Sequence, residues 1–214
     1  MAGSYTTDKI RNIVLLGHSG CGKTSLAEAM LFNTGAVNRL GRVEDGNTVS
    51  DFDEEEIHRT MSLNLSIIPC EWEGYKINVL DAPGYTDFQG EMLGGLHVAD
   101  TVVLVLDASA GVEVGTQLAW QMAVDNQKPI VVFLNKMDRP NASYRRVIQQ
   151  LRDTFEATFV PMELPIRKGE HFEGVVDMIT QTAHTGTGKP SAPPEDMAAD
   201  IEEFRTQVIE YAAE

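Results

Sequence analysis

The sequence predicts an α/β fold with a mostly parallel sheet and one antiparallel strand. Three observations carry that prediction. From Ile10 onward, short apolar runs alternate with longer amphipathic stretches, the pattern of strands and helices in a layered α/β domain. The main apolar runs end in Gly, Asp or Asn before a helical pattern begins, which delivers polar groups to strand C-termini, where doubly wound sheets place their ligands. One run, Leu63 to Glu71, is joined to the next through the tight Glu73-Gly74 region, which predicts a hairpin and so one antiparallel neighbour.

Taken in order, Ile13-Val14-Leu15-Leu16, Ile77-Asn78-Val79-Leu80, Val102 to Leu106 and Ile130 to Leu134 read as buried strands. Helices are expected over 23–34, 90–97, 114–126 and 141–158, the last capped by Asn141 after Pro140. Residues 35–62 lack strong periodicity, and a loop that long in a compact domain is either functional or disordered. Further on, Val160 to Ile166 and Gly174-Val175-Val176-Asp177 suggest strands, and 185–194 reads as an irregular linker. Residues 195–214 form an acidic amphipathic helix with Met197, Ile201, Phe204, Val208 and Tyr211 on one face, which no other segment evidently covers.

The chain has 214 residues, one domain plus a remainder at about 150 residues per domain. Seventeen Lys and Arg stand against 32 Asp and Glu, a formal charge of −15. A field of that sign argues against gripping bare nucleic acid or anionic lipid, so any polyanion must be held by a local site. Residues 44–58 carry Glu44, Asp45, Asp51, Asp53, Glu54, Glu55 and Glu56 with no Lys or Arg, a run read as a solvated face or mobile segment. The two cysteines, Cys21 and Cys70, have neither metal-ligand nor redox-pair spacing, in keeping with a reducing, cytoplasmic setting. The N-terminus has no signal-peptide pattern, and no apolar run is long enough to span a bilayer.

The motif with the strongest chemistry is Gly17-His18-Ser19-Gly20-Cys21-Gly22-Lys23-Thr24, which fits G-x-x-x-x-G-K-[ST] between an expected strand and an expected helix. In such a loop the glycines let successive backbone N–H groups turn toward phosphate oxygens, and the next helix adds the positive end of its dipole. Lys23 brings a point charge to the β and γ phosphates, and Thr24 offers a hydroxyl to Mg²⁺. The fold is therefore read as a three-layer P-loop NTPase. Asp81-Ala82-Pro83-Gly84 follows the next strand, so Asp81 can orient Mg²⁺ and Gly84 can bring its N–H to a γ-phosphate. Asn135-Lys136-Met137-Asp138 closes the Ile130 strand, and Asp138 selects the base. A carboxylate accepts from guanine N1–H and the exocyclic amine, a donor pair adenine lacks. The expected ligands are GTP or GDP, with Mg²⁺ as the cofactor.

These residues resemble the translational GTPases, in particular elongation factor G and its relatives, over about residues 10–180. GHSGCGKT at 17–24, DAPGYTDF at 81–88 and NKMDRPNA at 135–142 carry the resemblance, and GEHFEGVVD at 169–177 is similar to the start of an insert in the elongation-factor-G GTPase domain. The resemblance implies GTP hydrolysis on the ribosome, with residues 35–62 as the first switch and Ser62, in Arg59-Thr60-Met61-Ser62-Leu63, as the hydroxyl that joins the Mg²⁺ site. It implies a tail over 1–9, a GTPase domain over 10–166 and the start of the insert over 167–214. Tyr85 stands where elongation factors usually carry a water-ordering His. A phenol with pKa near 10 is a poor substitute for imidazole, so the expected intrinsic rate is very low. Gly20 stands where many relatives have Asp, and the Ser-Ala loop that backs the guanine ring is absent, from which a longer factor is expected.

Other readings compete at single residues. Cys21 is a redox-sensitive thiol or simply a small residue in a tight loop. His18 and His97 are general bases or structural, and Arg59 is a charge stabiliser or a neutraliser of the acidic run. The structural reading is preferred for each.

Overall fold

The computed structural model describes residues 5–169, 171–186 and 188–213. Residues 1–4 of the expected tail, Glu170 in the insert-like segment, Thr187 in the expected linker and Glu214 lie outside them. The chain forms two compact units, Met1–Asn135 and Lys136–Glu214.

The first unit holds a five-stranded sheet in the order β2-β3-β1-β4-β5. Its strands are β1 (Ile10–Leu16), β2 (Ser66–Trp72), β3 (Tyr75–Asp81), β4 (Thr101–Asp107) and β5 (Ile130–Asn135). β1 pairs in parallel with both β3 and β4, β4 in parallel with β5, and β2 antiparallel with β3, as the Glu73-Gly74 turn requires. Val14, Leu15 and Leu16 are fully buried because β1 is central and covered on both faces. Helix α1 (Lys23–Asn33) lays Ala27 and Leu31 on Leu15, Ile68 and Val79, while α3 (Gln89–Val98) lies against Val14 on the other face. Helix α4 (Val114–Asp125) packs on β4. The three-layer α/β prediction is borne out.

The 35–62 segment is more structured than its pattern suggests. It contains a 3₁₀ turn at Val43–Asp45 and a short helix, α2 (Glu54–Arg59), started by a capping box between Asp53 and Glu56. Nor is its acidic run wholly solvated, because Asp51 and Glu56 are buried.

The second unit holds α5 (Tyr144–Phe155), an antiparallel sheet of β6 (Glu163–Lys168), β7 (His171–Asp177) and β8 (Thr182–Thr185), and α6 (Ala198–Ala213). Three expectations are corrected here. The cap of α5 is Ser143, whose hydroxyl accepts from Arg146 N–H at 3.4 Å, whereas Asn141 turns the chain in the left-handed region at φ 64°. The expected linker begins as β8, and Ser191 returns to pair with Ala183 through bonds of 2.8 and 3.0 Å. The apolar face of the acidic helix is covered: Ile201, with Met197, Phe204 and Val208, closes a core with Leu164, Ile166, Val176, Met178 and Ala183. The strands read at Val160 to Ile166 and Gly174 to Asp177 correspond to β6 and β7, and what the pattern did not show is their pairing with β8 into the sheet that supplies this cover. Tyr211 alone of the expected face stays exposed, at 44%.

Ile201→Ala should therefore cost the second unit about 2–4 kcal/mol, read as a lower urea midpoint and faster proteolysis of α6, while Ile209→Ala at a 57% exposed position changes neither.

Candidate functional site

The C-terminal ends of β1, β3 and β5 bring the polar groups of the first unit together. Gly17 leaves β1 at φ 146°, and a Cβ there would stand 2.2 Å from the Val105 carbonyl oxygen on β4, so only glycine lets the loop hug the sheet. Gly22, in the left-handed region at φ 99°, opens α1 with no side-chain cap. Lys23 is buried, and its ammonium donates to the carbonyls of Gly17 and His18 at 3.3 Å each, so it is held under the loop as a fixed charge. Asn135, the last residue of β5, donates from Nδ2 to the Cys21 carbonyl at 3.0 Å and braces the loop from beneath. Cys21 is buried at 1% exposure.

His18 turns away from the loop interior. Its Nδ1 accepts from Gly115 N–H at 3.2 Å, and Nε2 lies 3.5 Å from Glu113, so the ring stitches the loop to the start of α4. His97 bonds its own helix at Leu93 O, and Arg59 pairs with Glu55 one turn away.

On the other side of Lys23, four oxygens gather. Thr24 Oγ1 donates to Asp81 Oδ2 at 2.7 Å, Ser62 Oγ donates to Asp51 Oδ1 at 2.7 Å, and the two hydroxyl oxygens stand 3.2 Å apart. With both hydroxyl protons spent on carboxylates, the facing lone pairs have no proton between them. Asp81 Oδ1, Asp51 Oδ2 and the Ser50 hydroxyl are buried without a well-formed hydrogen bond, and the Ser50 hydroxyl stands close enough to Asp81 to favour its ionised form. Burial pushes the Asp81 carboxyl up to about 6, against the pull of the Thr24 hydroxyl and the Lys23 charge. Burial also raises Asp51, with Glu56 and Glu28 adding to the rise and Ser62 opposing it. Orphaned carboxylate oxygens beside converging hydroxyls are hard oxygen donors, and they fit a Mg²⁺ ion that keeps its remaining ligands from water and phosphate. Among the described residues no group of three His, Cys, Asp or Glu is arranged for a metal.

Gly84 faces the same space. A Cβ on it would come within 2.4 Å of Lys23 Nζ and 2.8 Å of the Ser19 backbone N, so the D-x-P-G turn touches the phosphate loop only because residue 84 has no side chain. Tyr85 follows with 44% exposure, its carbonyl taken by Phe88 N–H at 3.1 Å. Lys136 adopts φ 58°, and Asp138 is exposed on the turn after β5.

Sequence reasoning missed two carboxylates. Asp51 was submerged in an acidic run. Glu28 lies on the buried face of α1 at 1% exposure and accepts from Gly41 N–H at 3.1 Å and Val49 N–H at 2.6 Å. The available signal was an acid one residue from Ala27, on the apolar side of α1.

A carboxyl raised from 3.8 to about 6 on folding binds its proton more tightly in the native state, so its stabilising contribution is complete below about pH 4 and is lost as pH rises through 6. In EDTA, Asp81→Asn should melt several degrees above the parent at pH 7.5, and the gap should close by pH 4 in thermal scans.

No described helix is long and apolar enough to cross a membrane. The family model for the elongation factor Tu GTP binding domain matches residues 8–213. The chain is 38% identical over 221 residues to a Danio rerio protein named mitochondrial ribosome-releasing factor 2, covering 96% of this chain and 29% of that relative. A crystal structure of a Thermus thermophilus protein superposes with a TM-score of 0.89 at 35% identity, covering 94% of this chain and 31% of that one. The chain thus spans under a third of each relative's length. It belongs to the elongation factor Tu GTP-binding-domain family.

Proposed function

We propose that this domain binds GTP or GDP with Mg²⁺ at the loop after β1, hydrolyses GTP slowly, and serves a longer translation factor on the ribosome. The observation that carries the reading is the pair of orphaned buried carboxylate oxygens beside Thr24 and Ser62, next to a lysine sequestered under a glycine-rich loop. Residues 17–24 would cradle the phosphates, with Lys23 neutralising the β and γ groups and Gly84 presenting its N–H to the third. Thr24, Ser62 and Asp81, joined by Asp51, would hold the cation. When bound, it neutralises charge on the phosphate oxygens. Asn135, Lys136 and Asp138 would receive the guanine, with Asp138 accepting from its N1–H and amine. Tyr85 stands where a water-ordering group belongs and offers a phenol hydroxyl in place of an imidazole.

Tyr85 also favours a second reading, a switch that holds guanine nucleotide with negligible turnover. The Danio relative is named for ribosome release, and that name favours a ribosomal protection or rescue task for the whole factor over translocation. The reading requires a compartment containing ribosomes, the cytoplasm or an organelle matrix. The domain's charge of −15 leaves ribosomal contacts to specific patches and gives it no grip on free nucleic acid or membrane.

Calorimetric titration with GDP, GTP and ATP in Mg²⁺ should show binding restricted to guanine nucleotides, and Asp138→Asn should weaken it by at least tenfold; tight ATP binding would refute the base assignment. Single-turnover hydrolysis of GTP by the parent should be very slow with or without ribosomes, and Tyr85→His should raise it if a water-ordering group is all that is missing.

A further inference from the structure

Glu56 is the most enclosed acid of the 44–58 run, at 1% exposure, and its contacts close around one residue of the proposed cation site. Its Oε1 accepts from the backbone N–H groups of Leu63 and Asn64 at 2.9 and 3.0 Å and from Asn64 Nδ2 at 3.4 Å. Its Oε2 accepts from Asp53 N–H at 3.3 Å, and its own carbonyl takes Met61 N–H at 3.1 Å. Residues 61, 63 and 64 are thus all tied to Glu56, bracketing Ser62. The bracket needs Thr60 in the left-handed region at φ 53°, which turns the chain back on α2. Thr60 is not glycine, so that turn carries strain, and the bonds to Glu56 oppose its relaxation. Between the two tied flanks Ser62 has one direction left, toward Asp51 and Thr24.

We propose that Glu56 is the positioning residue for Ser62, fixing its hydroxyl for a divalent cation and so letting the 51–64 segment report the third phosphate. The inference rests on the Mg²⁺–GTP reading of the site. Glu56 touches neither cation nor nucleotide. It acts through Ser62, by holding backbone amides that would otherwise pair with water and let the segment swing. A carboxylate suits the task because its two oxygens supply several acceptor positions and no donor, whereas an amide keeping its oxygen on Leu63 and Asn64 would set an N–H against the Asp53 N–H.

The test is a double-mutant cycle on the whole chain with Glu56→Ala, Ser62→Ala and both together. It reads affinity for GDP and for a non-hydrolysable GTP analogue across a Mg²⁺ titration, and amide hydrogen exchange of Leu63 and Asn64 without nucleotide or metal. Glu56→Ala should weaken Mg²⁺-dependent binding of the analogue about tenfold, leave GDP affinity within about twofold, and speed exchange at Leu63 and Asn64 by at least tenfold. The double variant should be no weaker than Ser62→Ala alone. Glu56→Gln should fall between Glu56→Ala and the parent, and Glu55→Ala, exposed on the same helix, should match the parent. Independent, multiplying losses in the cycle, or equal loss of GDP and analogue in both Glu56 variants, would overturn the positioning role while leaving the site reading intact. A parent chain whose affinity for the analogue ignores Mg²⁺ would overturn both.

Discussion

The first unit depends on one carboxylate being kept from water. Asp81 ends β3, a strand flanked by β2 and β1 and registered against Ser66 and Leu15, so its side chain has no route to solvent and is 1% exposed. Burying a charge there is costly unless it is compensated, and the compensation builds the site. Thr24 reaches it from the first turn of α1, Lys23 lends its field from under the loop, and one oxygen stays without a well-formed hydrogen bond. Thr24 at the start of α1 and the Lys23 charge under the loop both converge on this one group, and they satisfy it incompletely. A protein seeking only stability would replace Asp81 with an apolar residue. Retaining it makes sense where a cation completes it.

The same economy runs through the loop of residues 35–65. That segment fully buries none of its apolar side chains, and acids used as hydrogen-bond acceptors tie it down. Glu28 on α1 holds the amides of Gly41 and Val49, Glu56 those of Leu63 and Asn64, and Glu91 on α3 that of Leu65 at 2.8 Å. Each clasp anchors the loop to a helix by a charge-assisted bond. Such anchors are directional and few, unlike a hydrophobic contact spread over many atoms. A segment held this way releases in discrete pieces, which is what a phosphate-sensing loop on the proposed reading requires. The acidity of the chain is in part this scaffolding turned inward.

The sheet was legible because buried strands announce themselves: Ile13 to Leu16 and Val102 to Leu106 have no other stable home, and the Glu73-Gly74 turn dictated the antiparallel pair. The glycine-rich turn between β1 and α1 was legible because its glycines answer to backbone geometry, which a spacing rule captures. The roles of Glu28, Asp51 and Glu56 were not legible, because a carboxylate receiving backbone N–H groups has the same spelling as one facing water. What distinguishes them is the loop's path, and that path is set by the bonds themselves. The cover of Ile201 and Phe204 was missed for a related reason. It comes from a three-stranded sheet whose strands are short and whose return through Ser191 follows a Gly- and Pro-containing stretch that carries no periodic signal.

Asn135 shows how far a motif can be read without its surroundings. Its spacing to Asp138 assigns it to the base, yet in the structure its amide is engaged with the Cys21 carbonyl, inside the phosphate loop. A side chain at the last position of β5 that bonds the loop after β1 makes the loop's conformation depend on the sheet edge two strands away, through β4. Replacing it would loosen the phosphate cradle as well as the base side. On the proposed reading, a loss of affinity at Asn135 therefore says little about guanine contacts, whereas Asp138 is exposed on the turn after β5 and is the position that would report base selection by itself.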